Sequence, residues 1–68
     1  MVKYYMNKNK DEKGYNEVHT MYCSYLPEEK NRIELGPFLD EIQAVNYAKT
    51  MGYNADGCYY CCHKAHHG

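Results

Sequence analysis

The sequence has no tryptophan, one phenylalanine and two prolines, and it lacks a charge surplus: 8 basic and 9 acidic side chains leave −1 with histidine neutral. Each shortage excludes something. No apolar run in the chain approaches the ~20 residues a membrane-spanning helix needs, so no membrane partner is expected. Positions 1–20, MVKYYMNKNKDEKGYNEVHT, contain no apolar stretch of the kind a secretory leader uses. With a Met1 start, this reads as a cytoplasmic chain in which thiols stay reduced. The missing basic surplus argues against a dedicated nucleic-acid binder. No repeat, linker or low-complexity segment interrupts the 68 residues, so a single domain over 1–68 is expected.

Length is the other scarce quantity. A chain this short buries only about 60% of the surface that its unfolded form exposes, and so small a core roughly cancels the entropy of ordering. A staple is therefore expected: disulfides, a metal or oligomerisation. The chain offers 4 Cys and 4 His. It is also rich in Tyr, with nine against the single Phe38, which makes for an amphipathic core whose ring oxygens sit near water or a partner.

Hydrophobic periodicity places an α+β fold, with a short antiparallel sheet and one main helix. VKYYMNK over 2–8 suits a strand with Val2, Tyr4 and Met6 on one face. Residues 7–16 are polar and form a loop. Val18 belongs to a short strand, and Thr20 opens a helical turn through Cys23 and Leu26 that Pro27 ends. RIELGPF is a further strand, with Ile33 and Leu35 on one face and Gly36-Pro37 closing it. Asp40 and Gln43 have the spacing of a capping box. From there a helix over about 41–51 repeats Ile42, Val45, Ala48 and Met51 as its apolar face, with Gly52 as the stop.

Most of the chemistry lies in two pairs. His19 and Cys23 stand four apart, and Cys58 and Cys61 form C-x2-C. C-x2-C sets two thiolates on one side of a tight turn, and residues four apart share a face if the segment is helical. Zinc takes four such donors in a tetrahedron, and two pairs from distant parts of the chain would tie the middle of the sequence into one loop. Structural zinc contributes about 10–16 kcal/mol to the folding of finger peptides, enough to decide a marginal balance. Two disulfides are the main alternative, though adjacent Cys61 and Cys62 would strain such a pairing. A redox dithiol lacks its usual βαβ context. Cys62, His63, His66 and His67 are rival ligands for His19. A quartet from 58–66 alone would staple only the tail, so the bridging quartet is preferred and Cys62 becomes a spare thiol. His66 and His67 are expected to fray.

HTMYCSYLP, NRIELGPF and EIQAVNYAKTMGYNADGCYYC together are similar to the small zinc-binding module of the Ada-type DNA-repair methyltransferases. The resemblance covers residues 15–62 and implies the ligands His19, Cys23, Cys58 and Cys61. In that family the first ligand is a Cys that accepts a methyl group from a DNA phosphotriester. Here it is His19, which has no thiolate to offer. Gly57 stands where the family has Pro, and Tyr59 and Tyr60 stand where it commonly has a basic residue.

Three functions compete. The first is a non-catalytic module binding another protein, with Tyr4, Tyr5, Tyr59 and Tyr60 exceeding what a tiny core hides. The second is an Ada-like nucleic-acid-binding module, using the same rings and Lys3, Lys8, Lys10 and Lys13; Glu28, Glu29, Glu34, Asp40 and Glu41 oppose it. The third is an enzyme, with Glu17 beside His19 as a base. A zinc with four good ligands has no open position for substrate, so no enzyme is expected.

Overall fold

In the computed structural model, which describes residues 1–68, Val2–Asn7 forms β1. Its Val and Tyr residues suit a pleated ribbon, and strand alternation turns Tyr4 and Met6 into the core. Tyr4 is thus a core residue and not part of a recognition surface. Asn16–Thr20 forms β2, antiparallel to β1, with Val18 opposite Met6 and His19 opposite Tyr5. Arg32–Phe38 forms β3, antiparallel to β1 on its other side. Ala55–Gly57 forms β4 beside β2, completing the order β3-β1-β2-β4.

The sheet is mixed, which corrects the antiparallel expectation: β4 runs parallel to β2, with Asn16 opposite Ala55. β1 runs against both its neighbours, so β2, β3 and β4 share one direction. Parallel connection of β3 to β4 requires a crossover. Glu41–Thr50, the helix α1, supplies it and packs on all four strands.

The helix begins and ends as its sequence directs. Asp40 Oδ1 accepts the Gln43 N–H at 2.9 Å. The reciprocal bond runs from the Leu39 N–H, not from Asp40, to Gln43 Oε1 at 3.3 Å. At the other end Gly52 has φ +95°. Gly52 N–H donates to Lys49 O at 3.0 Å and Tyr53 N–H to Ala48 O at 3.3 Å, the paired bonds of a Schellman stop. The buried stripe is Ala44, Val45 and Ala48; Ile42 and Met51, expected inward, are exposed. The small Ala side chains face the sheet, and the long ones fall at the margins of the contact.

β3 does not end at Gly36-Pro37 but continues to Phe38. Tyr4 pairs with Gly36 and Tyr5 with Glu34, so Leu35 is an extra residue in the ladder. Such a bulge inverts the inward–outward alternation. It lets Ile33, opposite Met6, and Phe38, opposite Val2, both face the core although five positions separate them. Gly36 takes φ +107° there, a conformation that side chains resist.

The tail is held rather than frayed. Asp56, itself buried, accepts the N–H groups of His67 at 2.8 Å and Gly68 at 2.9 Å. His66 Nδ1 lies 2.9 Å from Gly57 O. A short 3-10 turn, His63–Ala65, presses Ala65 onto the core. No helix is long and apolar enough to cross a membrane.

Gly57 is where β4 meets that tail. A Cβ there would lie 2.4 Å from Cys62 O and 2.9 Å from the Ala65 carbonyl carbon, both backbone atoms that cannot rotate away. Gly57→Ala is expected to destabilise the fold by about 1–3 kcal/mol, read as a fall in melting temperature. An unchanged transition would mean that β4 and the tail are not packed this tightly.

Candidate metal centre

Val18 points towards α1, so the next residue of β2, His19, points to the opposite face of the sheet, beside Tyr5. It is nevertheless only 1% exposed. The chain turns over it immediately after Thr20: Cys23 N–H donates to Thr20 O at 3.2 Å and Leu26 N–H to Cys23 O at 3.1 Å. These are successive turns, not the helical turn the spacing predicts. His19 reaches Cys23 because a strand end runs into a turn. On the other side, Cys58 N–H donates to Val18 O at 2.9 Å, carrying the β2–β4 ladder one residue further. The chain then folds back, with Cys62 N–H on Cys58 O at 2.8 Å. This turn holds Cys58 and Cys61 on one side.

The structure brings His19, Cys23, Cys58 and Cys61 together, with one donor atom of each within 4.8 Å of all the others. Cys23 Sγ is 3.9 Å from Cys58 Sγ, and Cys61 Sγ is 3.9 Å from His19 Nδ1. A tetrahedral ion with metal–sulfur bonds near 2.3 Å spaces its sulfur ligands about 3.8 Å apart. The donor set and spacing therefore fit a four-coordinate ion, and the group can hold one. All four cysteines are free thiols, so no disulfide competes. The rival histidines do not join: His63 Nδ1 faces Tyr59 O at 3.3 Å, His66 faces Gly57 O, and His67 lies by α1 beside Lys49 and Lys64.

Without an ion, the surroundings hold all four groups neutral. Burial pushes the Cys58 thiol up to about 12, even though the backbone N–H groups of Cys61 and Tyr60 pull the other way. Cys61 is raised by its hydrogen bond to Cys62 and then by burial. Cys23 is raised by burial, and burial lowers His19, keeping the imidazole neutral. A neutral imidazole is the form that ligates. Thiols that burial keeps protonated become thiolates when a bound cation reverses the local balance. Backbone donors are already aimed at them: Thr20 N–H lies 3.4 Å from Cys61 Sγ and Tyr25 N–H 3.4 Å from Cys23 Sγ.

Two residues read for other roles, Glu17 as a base and Cys62 as a rival ligand or spare thiol, lie beside the quartet. Glu17, two residues before His19 and so on the same strand face, places its carboxylate 3.9 Å from His19 Nε2. That leaves Nδ1 turned to the cysteines, the orientation that a carboxylate behind a ligating histidine enforces. The i, i+2 relation on a strand would have shown it. Cys62 Sγ lies 3.7 Å from Cys61 Sγ but outside the four-donor group. No protein-family model, curated protein or solved structure matches the chain.

Native mass spectrometry is expected to show one divalent ion per chain. Cys23→Ser, Cys58→Ser and Cys61→Ser should each lose it, and Cys62→Ser should keep it; equal loss from Cys61→Ser and Cys62→Ser would reassign the fourth ligand. Loading at pH 7 should also release close to three protons, one for each thiol of the group. Calorimetry in two buffers of different ionisation enthalpy measures that number, and a value near zero would mean the sulfurs are not ligands.

Proposed function

We propose that the chain is a cytoplasmic, non-catalytic zinc-binding module that presents a tyrosine surface to a protein partner. The observation that carries the metal half is the convergence of one imidazole and three thiols. Soft sulfur donors in a tetrahedron favour zinc among the common divalent ions. His19, Cys23, Cys58 and Cys61 would hold it, and it would supply a cross-link between β2, the turns after it and the loop after β4. Four protein donors fill the tetrahedral shell, which leaves no position for water or substrate. Glu17 then orients His19 and has no proton to move.

Support for a protein partner comes from the surface above the centre. Tyr22 and Tyr60 are 79% and 67% exposed, and Tyr25 and Tyr59 are exposed beside them. Tyr25 stacks on Tyr60 with centroids 4.4 Å apart and planes 19° from parallel, and Tyr59 meets Tyr60 edge-on at 5.2 Å. Rings locked in this way lose little entropy on docking. Tyr5 lies beside His19 but is half-buried, with the Arg32 guanidinium 4.6 Å above its ring, and so adds no exposed ring to the patch. The two segments bearing the exposed rings, 18–27 and 57–63, contain no Asp, Glu, Lys or Arg. An uncharged aromatic patch suits a protein surface better than a phosphate backbone. The exposed rings also favour one alternative, an Ada-like nucleic-acid module that stacks bases on them.

Removal of zinc by a strong chelator is expected to collapse the dispersed amide spectrum, because so small a core does not hold alone. A metal-free chain that keeps its native spectrum would make the ion incidental. Titration with duplex and single-stranded DNA at physiological salt should show only weak binding, with a log–log salt slope near −0.9 per phosphate contacted. Submicromolar affinity would favour the nucleic-acid alternative. Intact mass after incubation with phosphotriester-methylated DNA should show no methyl group on Cys23, Cys58 or Cys61.

A further inference from the structure

Cys62 is fully buried, a place a spare thiol need not occupy. Its side chain belongs to the core that Ala65, Ala48 and Val18 share, yet its sulfur reaches 3.7 Å from Cys61 Sγ. Consecutive residues diverge, so Cys61 faces the four-donor group while Cys62 comes at the same sulfur from the core side.

We propose that Cys62 is a positioning residue that donates an S–H···S hydrogen bond to metal-bound Cys61. This rests on the metal reading above. Three thiolates and a neutral imidazole around a divalent ion carry a net charge of −1, and that charge sits against an apolar core. It needs donors. The backbone provides one to Cys61 from Thr20 and one to Cys23 from Tyr25. Cys62 is the side-chain member of that set. A thiol suits the position because it packs as a small hydrophobe and still carries a proton. A hydroxyl would carry a proton as well, but at a higher desolvation cost. Hydrogen bonding to a bound thiolate draws charge from the sulfur. Cys61 is thereby less nucleophilic and the ion is retained longer, as outer-shell partners of metal ligands do elsewhere.

The test uses the zinc-loaded full chain and three variants, Cys62→Ala, Cys62→Val and Cys62→Ser. Alanine and valine remove the proton, valine filling more of the space, and serine keeps a donor. Each is loaded, checked for one ion by native mass, alkylated with iodoacetamide, and mapped by peptide mass. Zinc retention is measured by competition with a chromophoric chelator. Cys62→Ala and Cys62→Val should raise the alkylation rate of Cys61 severalfold and weaken zinc retention about 10-fold. Cys62→Ser should stay near the unmodified chain. If serine and valine behave alike, or if valine matches the unmodified chain, the thiol is only packing and the proposal fails. Cobalt substitution gives the other decisive outcome: a sulfur-to-cobalt band reduced by about one ligand in Cys62→Val would make Cys62 a ligand and not a donor. An unmodified chain that takes up no ion at all overturns the metal reading, and this inference with it.

Discussion

One point in space organises this molecule: the place where the end of β2, the turns that follow it and the loop after β4 converge on four donor atoms. Cys23 and Cys58 are 35 positions apart, and between them lie β3, the helix and β4. An ion held there would enclose the middle of the chain, and closing a loop of that length in advance would remove much of the unfolded chain's freedom. The two faces of the sheet then divide the work. One carries the helix and a core of small and medium side chains. The other carries His19, under turns too short to shelter a hydrophobic core of their own.

This division explains the placement of the tyrosines. On the helix side Tyr4 is part of the core that includes Ala44 and Ala48, with its ring 6.4 Å from that of Phe38. On the other side the rings sit in the turns that also bear cysteines, at positions 22, 25, 59 and 60. Their geometry therefore follows that of the centre. Tyr25 gives its backbone N–H to Cys23 Sγ and its ring to Tyr60, linking the two halves of the site in both shells.

Much of this was legible in the sequence, where short-range chemistry decides it. Asp40 and Gly52 bracket the helix because a cap and a left-handed stop are local devices. The alternation of Val2, Tyr4 and Met6 decides the inward face of β1, and the His19-x3-Cys23 and Cys58-x2-Cys61 spacings single out the side chains that the fold gathers. What was not legible depends on long-range partners. Ala55–Gly57 has no β-forming character, and it is a strand only because β2 offers it a ladder. The bulge at Leu35 appears only when β1 is laid against β3. Nothing local marks Asp56, whose carboxylate collects the last two backbone N–H groups of the chain. Ile42 and Met51 are exposed although they share the helical period, because periodicity gives the direction of a stripe and not the width of the contact.

The same bulge bears on how the sheet meets its surroundings. β3 is the one long outer strand, and a long, regular outer strand invites a stranger to pair with it. Here the extra Leu35 breaks the spacing of its free donors and acceptors, and Pro37 two residues later has no N–H to offer. The opposite border, β4, is three residues long. A chain whose unfolded form carries nine tyrosines and four reactive thiols has good reason to avoid templating its own aggregation, and both borders of this sheet are poor templates.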